Sequence, residues 1–82
     1  MNGSWILKPK LYRMLHAIGH RVAFADEVDG LDDWIMHRLT WVKTQARQSG
    51  WDEDQIDEAV MDGLVTGRAA AFQHLTQGPR RV

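Results

Sequence analysis

Apolar residues recur every three or four positions in three stretches of this chain, and this is the period of one face of an α-helix. The stretches cover about 9–25, 31–49 and 53–76. We therefore expect an all-α fold, a small three-helix bundle. The first two stretches carry one core stripe each, formed by Leu11, Leu15, Ile18 and Val22 in the first and by Leu31, Ile35, Leu39, Val42 and Ala46 in the second.

The start of the third helix is the best marked of the three. Asp52 stands where an N-cap belongs and Gln55 follows three residues later, which is a variant of the capping box. Trp51 precedes the cap and Ile56 lies in the first helical turn, as in a hydrophobic staple. These signals are local in sequence, so they predict that the helix begins directly after Asp52.

The ends of the other helices follow from glycine, proline and aspartate. Pro9 is tolerated at a first helical position, so the first helix is expected to start there after an extended arm over 1–8. The polar segment 26–30 predicts a turn, whose Asp29 caps the second helix. Gly50 stands where a left-handed residue ends that helix. Residues 77–82 are expected to form a flexible tail.

The third helix is predicted to be apolar on two sides. Gly63 and Gly67 lie on its first face and allow another helix to approach closely; this predicts a tight crossing with the first or second helix, or a two-fold dimer through the glycines. A three-helix bundle cannot readily cover the opposite stripe as well, which predicts a homodimer or partner surface. The first face is Ile56, Val60, Gly63, Leu64, Gly67, Ala71 and His74; the opposite stripe is Met61, Val65 and Phe72. Trp34, Trp41 and His37 lie together on the flank of the second helix and are predicted as further partner-binding residues.

Composition restricts the possible functions. A chain of 82 residues forms one domain, of a size at which self-association often adds stability. It has no cysteine, which excludes disulfides and thiolate metal sites. The net charge of -1 provides no global attraction to nucleic acid or membrane. There is no long apolar run or signal-peptide pattern, so we expect a cytoplasmic protein.

The first helix carries a predicted basic face of Lys10, Arg13, His20 and Arg21. These charges are either offset by the acidic start of the third helix or available to bind phosphates or an acidic protein. His16 and His20 are four residues apart and could meet one metal ion, but the sequence places no third ligand. We therefore expect solvated or partner-facing histidines and no cofactor.

No catalytic motif stands out, since the chain contains no GxSxG sequence, phosphate-binding loop or dinucleotide fingerprint. We predict a non-enzymatic protein–protein interaction module, a small regulator, adaptor or inhibitor that masks a partner surface. Its residue usage, with more Arg than Lys, suggests a bacterial, phage or mobile-element origin. The alternative is a nucleic-acid-binding transcriptional regulator that uses the basic face. The third helix cannot be the recognition helix, because its acidic start would repel phosphate.

Overall fold

In a computed structural model that describes residues 4–77, with side chains from Pro9 onward, the chain forms three α-helices. They are α1 (Ser4–Phe24), α2 (Asp33–Gln48) and α3 (Glu53–Gln77). A π-helical turn over Ala25–Asp29 extends α1. The predicted all-α three-helix bundle is confirmed. The first three residues of the predicted arm, and the predicted tail beyond Gln77, lie outside the described residues.

The prediction of an extended arm up to Lys8 was wrong for the part that the structure describes. The backbone is already helical at Ser4, and Pro9 lies inside α1. Proline has a φ angle that suits a helix, and its missing N–H removes one backbone hydrogen bond. The extended preference of the residue before proline is a bias that a continuous helix can override.

The connection between α1 and α2 also differs from the prediction. The expected turn over 26–30 is mostly a continuation of α1, and it ends at Gly30, whose φ is 93°. Asp29 does not cap α2. The cap is Asp32, whose carboxylate accepts a hydrogen bond from the Ile35 N–H at 3.0 Å. The helix therefore starts later than predicted, and Leu31 is exposed before it instead of joining the core stripe.

The connection between α2 and α3 agrees with the prediction. Gly50 is left-handed with a φ of 95°, and the Trp51 N–H reaches back 3.0 Å to the Ala46 carbonyl, as in a Schellman motif. Asp52 then caps α3 reciprocally: its carboxylate accepts from the Gln55 N–H at 2.9 Å, and the Gln55 side chain accepts from the Asp52 N–H at 3.1 Å. Both predicted cap signals are therefore formed.

Helix α1 is the central element of the bundle. Helix α3 packs along it in the same direction, since His16 lies beside Gly63 and His20 beside Gly67. Helix α2 packs against α1 in the opposite direction and hardly touches α3. The buried cluster between the helices consists of Leu11, Leu15, Ile18, Ala25, Ile35, Val42, Ala46, Trp51, Ile56 and Ala59. Helices α2 and α3 therefore meet mainly through this shared cluster and near the short connection between them.

Glycines make the contact between α1 and α3 close. A Cβ added to Gly63 would overlap the His16 carbonyl oxygen, and one added to Gly67 would overlap that of His20. Gly19 contributes to the same contact from the side of α1, since a Cβ added to it would overlap the Val60 carbonyl oxygen. The predicted tight crossing is therefore with the first helix. The alternative of a two-fold dimer through these glycines was wrong, because α1 already occupies them. His74 was predicted on this face but is exposed, whereas Ala59, which the prediction omitted, is buried.

The hydrogen bond between Tyr12 and Asp62 offers a direct test of this pairing. The Tyr12 hydroxyl donates to the Asp62 carboxylate at 2.5 Å, and this bond, helped by the negative charge, raises the pKa of Tyr12 above its ordinary 10.0. Since Tyr12 is the only tyrosine in the sequence, its absorbance titration is unambiguous. We expect a raised midpoint that falls toward the ordinary value in Asp62→Asn.

The sign of the linked stability change follows from the raised pKa. The bond stabilises the fold fully below the unfolded-state pKa of tyrosine, and this contribution is lost as pH rises through the folded-state pKa. Equal midpoints in the parent and in Asp62→Asn would contradict the observed register of α1 against α3.

Candidate interaction surfaces

The first candidate surface is the α3 stripe, which we define as Met61, Val65, Arg68, Phe72 and Leu75. These positions follow one another at intervals of four, three, four and three residues, the spacing of a coiled-coil seam. All five side chains are exposed; Val65 is 63% and Phe72 68% accessible. No described helix covers the stripe, because α1 packs on the glycine face of α3 and α2 packs on α1.

The sequence predicted most of this stripe. Met61, Val65 and Phe72 are exposed together as expected. Leu75 was missed, although it continues the same spacing by three residues. Arg68 also belongs to the stripe, but a pattern of apolar positions does not include it because its side chain is charged.

The second candidate surface is the α1–α2 groove, which consists of two adjacent pockets between the antiparallel helices α1 and α2. One part has a volume of about 370 Å³ and the adjoining part about 240 Å³; Met14 lines both. The lining residues that matter here are Lys10, Met14, Ala17, Ile18 and Arg21 from α1, and Trp34, Arg38, Trp41 and Val42 from α2.

Two tryptophans on α2 stand at this groove. Trp34 is 67% and Trp41 47% exposed, which is unusual for the largest apolar side chain. The Arg38 guanidinium lies 5.0 Å from the centre of the Trp41 ring, within cation–π range. His37 joins Trp34, Arg38 and Trp41 around a shallow depression, with its Nδ1 3.2 Å from the Asp33 carbonyl oxygen. The predicted partner residues of α2 are therefore brought together.

The charged side chains that line the groove among the described residues are all positive. Lys10, Arg21 and Arg38 line it, and no acidic side chain does among the described residues. The single ion pair found between described side chains joins Arg47 to Glu53, so it leaves these three cations uncompensated by a direct partner. The structure thus joins part of the predicted basic face to the tryptophan flank of α2. That combination depends on how α1 and α2 pack, so the sequence could not reveal it.

His20 was predicted on the basic face of the first helix, but its side chain contacts α3. Its Nδ1 lies 3.1 Å from the Thr66 hydroxyl oxygen, and its ring is stacked near Phe24 at 6.5 Å between centroids. The contact with Thr66 of α3 places His20 at the α1–α3 crossing. Lys10, Arg13 and Arg21 are exposed as predicted.

Among the described residues, no third ligand joins His16 and His20, the two predicted metal-ligand candidates. His16 stacks near Tyr12 with 6.2 Å between ring centroids, whereas His20 bonds to Thr66. Within the described part of the chain, no group of three or more His, Asp or Glu side chains converges on a point where a metal ion could bind.

None of the helices in the described region has both the length and the continuous apolar character needed to cross a bilayer. Comparison of the chain with protein-family models, with curated protein sequences and with solved structures gave no match.

Proposed function

We propose that this protein is a non-enzymatic protein–protein interaction module, a small regulator, adaptor or inhibitor that works by covering a surface of another protein. The observation that carries the proposal is the α3 stripe, whose apolar side chains follow the spacing of a helix–helix seam and have no partner helix within the described chain. The proposal includes a cytoplasmic location, which the lack of cysteine and of a signal-peptide pattern in the sequence supports. It also includes a bacterial, phage or mobile-element origin, which the excess of Arg over Lys supports.

The central position of Arg68 favours a different protein over a second copy as the occupant of the stripe. A parallel pair of α3 helices would set Arg68 against its equivalent and would bring the acidic starts of both helices together. An antiparallel pair that keeps the apolar residues in contact brings the two arginines within about one helical turn of each other. Like charges at the centre of an interface weaken it. A partner helix with apolar residues at matching spacing and a carboxylate opposite Arg68 has neither problem.

The test uses a variant that adds charge to the stripe, Val65→Asp with Phe72→Asp. Both side chains are exposed, so we expect the thermal stability to stay within about 1 kcal/mol of the parent. The parent protein should recover a specific partner in affinity purification, and that partner, once purified, should bind the parent with an affinity that the variant lowers at least about a hundredfold, as hot-spot substitutions do.

The matched control places aspartates at exposed polar positions of the same helix, Gln73→Asp with Thr76→Asp. It should bind as the parent does. Light scattering on the parent identifies a second copy as the occupant if a dimer forms that the stripe variant abolishes. Recovery of the same proteins by parent and stripe variant would count against the proposal.

A second candidate function is nucleic-acid binding, and one specific observation favours it. Lys10, Arg21 and Arg38 stand beside two exposed tryptophans, a combination that single-stranded nucleic acids use for phosphate contact and base stacking. Titration with oligothymidine should then show binding that weakens steeply with salt. Absence of binding at low ionic strength would remove this candidate.

A further inference from the structure

We propose that the α1–α2 groove binds an acidic, amphipathic helical segment of a partner protein. This inference rests on the proposed function as an interaction module, but it concerns a surface separate from the α3 stripe. The shape, the apolar floor and the charge of the groove each support it.

The floor and walls of the groove are suited to apolar side chains. Met14, Ile18 and Val42 form an aliphatic floor, and Trp34 stands exposed on the α2 wall. Tryptophan on a partly exposed wall is the residue most often found at the energetic centre of protein interfaces, because it buries a large area with little loss of side-chain freedom. A bound segment would therefore place its own apolar side chains between α1 and α2.

The rim of the groove selects for negative charge. Lys10 and Arg21 lie eleven residues apart on α1, and Arg38 lies across from them on α2. The groove is thus roughly 16 Å long, which is about three turns of a bound helix. Carboxylates at both ends and along one edge of such a helix would meet the three cations, and Arg can hold a carboxylate with two parallel hydrogen bonds.

A protein segment fits this surface better than a nucleic acid. Asp32 and Asp33 stand directly before Trp34, so negative charge begins where the groove ends. A phosphate backbone that continued in this direction would meet those carboxylates, whereas a short acidic segment carries its charge only within the groove.

The experiment selects ligands without assuming their sequence. Random peptides displayed on phage are enriched on the full-length protein, and binders of the Arg21→Glu, Arg38→Glu variant are removed. We expect the enriched peptides to carry net negative charge and bulky apolar residues at helical spacing. As free peptides they should bind the groove variant about tenfold more weakly than the parent, or worse.

A second variant controls for total charge. Arg13→Glu with Lys43→Glu changes the net charge equally but touches no residue that lines the groove or belongs to the α3 stripe, so it should bind the selected peptides as the parent does. The stripe variant Val65→Asp, Phe72→Asp should also bind them unchanged. If it does while the partner protein is still lost, the stripe and the groove are separate sites, and either proposal can fail without the other.

Several results would overturn the inference. One is enrichment of neutral or basic peptides, and another is no enrichment above that on an unrelated protein. A third is equal binding of the acidic peptides to the parent and the groove variant. Oligothymidine that displaces the peptides and binds more tightly than they do would assign the groove to nucleic acid instead.

Discussion

Replacing Gly63 with alanine is expected to lower the free energy of unfolding by about 3 kcal/mol or more, in the range of severe overpacking. The added Cβ would overlap the His16 carbonyl oxygen and lie 2.9 Å from the His16 carbonyl carbon and the His20 nitrogen. These are all backbone atoms, so no change of rotamer can relieve the overlap. Helix α1 would have to move away from α3 along the whole crossing.

The sign of this effect separates tertiary packing from helix propensity. In an exposed helix, alanine is more favourable than glycine by about 1 kcal/mol. The same change at Gly63 should therefore stabilise the protein if α1 and α3 were not in close contact. Domains of this size have a total stability of about 5–15 kcal/mol, so a loss of 3 kcal/mol is a substantial fraction.

Urea denaturation of the parent and of Gly63→Ala measures this difference. Gly67→Ala should behave similarly, since its Cβ would lie 2.8 Å from the His20 Cα. The control is Ala69→Gly at an exposed position of α3, which should lose only about 1 kcal/mol through propensity. A Gly63→Ala protein more stable than the parent would show that the glycines do not hold the helices together.

The parts of the fold that the sequence predicts well are those specified by neighbouring residues. The start of α3 is an example. Asp52 and Gln55 satisfy each other's backbone N–H groups, and the turn at Gly50 joins residues no more than five positions apart, Trp51 and Ala46. The start of α2 shows the opposite case. Asp29 and Asp32 are equally good caps in sequence, and only the continuation of α1 through a π-helical turn decides between them.

The same distinction applies to the candidate surfaces. The α3 stripe was predictable because the apolar residues of the third helix lie on two opposite faces. The other two helices of a three-helix bundle cannot readily cover both of these faces. The groove was not, because it depends on α2 packing against α1 and leaving α3 almost untouched. His20 contacts Thr66 because the glycine crossing brings α1 and α3 together at this point. The apolar pattern of the first helix alone does not predict this contact.

Truncation of the Trp51 side chain is expected to cause the other large loss in the free energy of unfolding. Trp51 is buried in the core cluster together with Ile56 and Ala46, and its backbone N–H closes the end of α2. Truncation to alanine keeps this backbone bond and empties the space of the indole. Substitutions of this kind cost about 3–5 kcal/mol.

The substitution Trp51→Phe distinguishes the contribution of the apolar ring to stability from that of the indole N–H. The indole Nε1 is buried and has no hydrogen-bond partner in the described part of the chain. A buried N–H of this kind is unfavourable by about 1–3 kcal/mol, and phenylalanine removes it while keeping most of the apolar area. The two effects oppose each other, so Trp51→Phe should lose less than about 1.5 kcal/mol in urea denaturation, far less than Trp51→Ala. If the two variants lose equal stability, the indole N–H must itself make a favourable bond, and the core around the staple is held by that bond as well as by apolar packing.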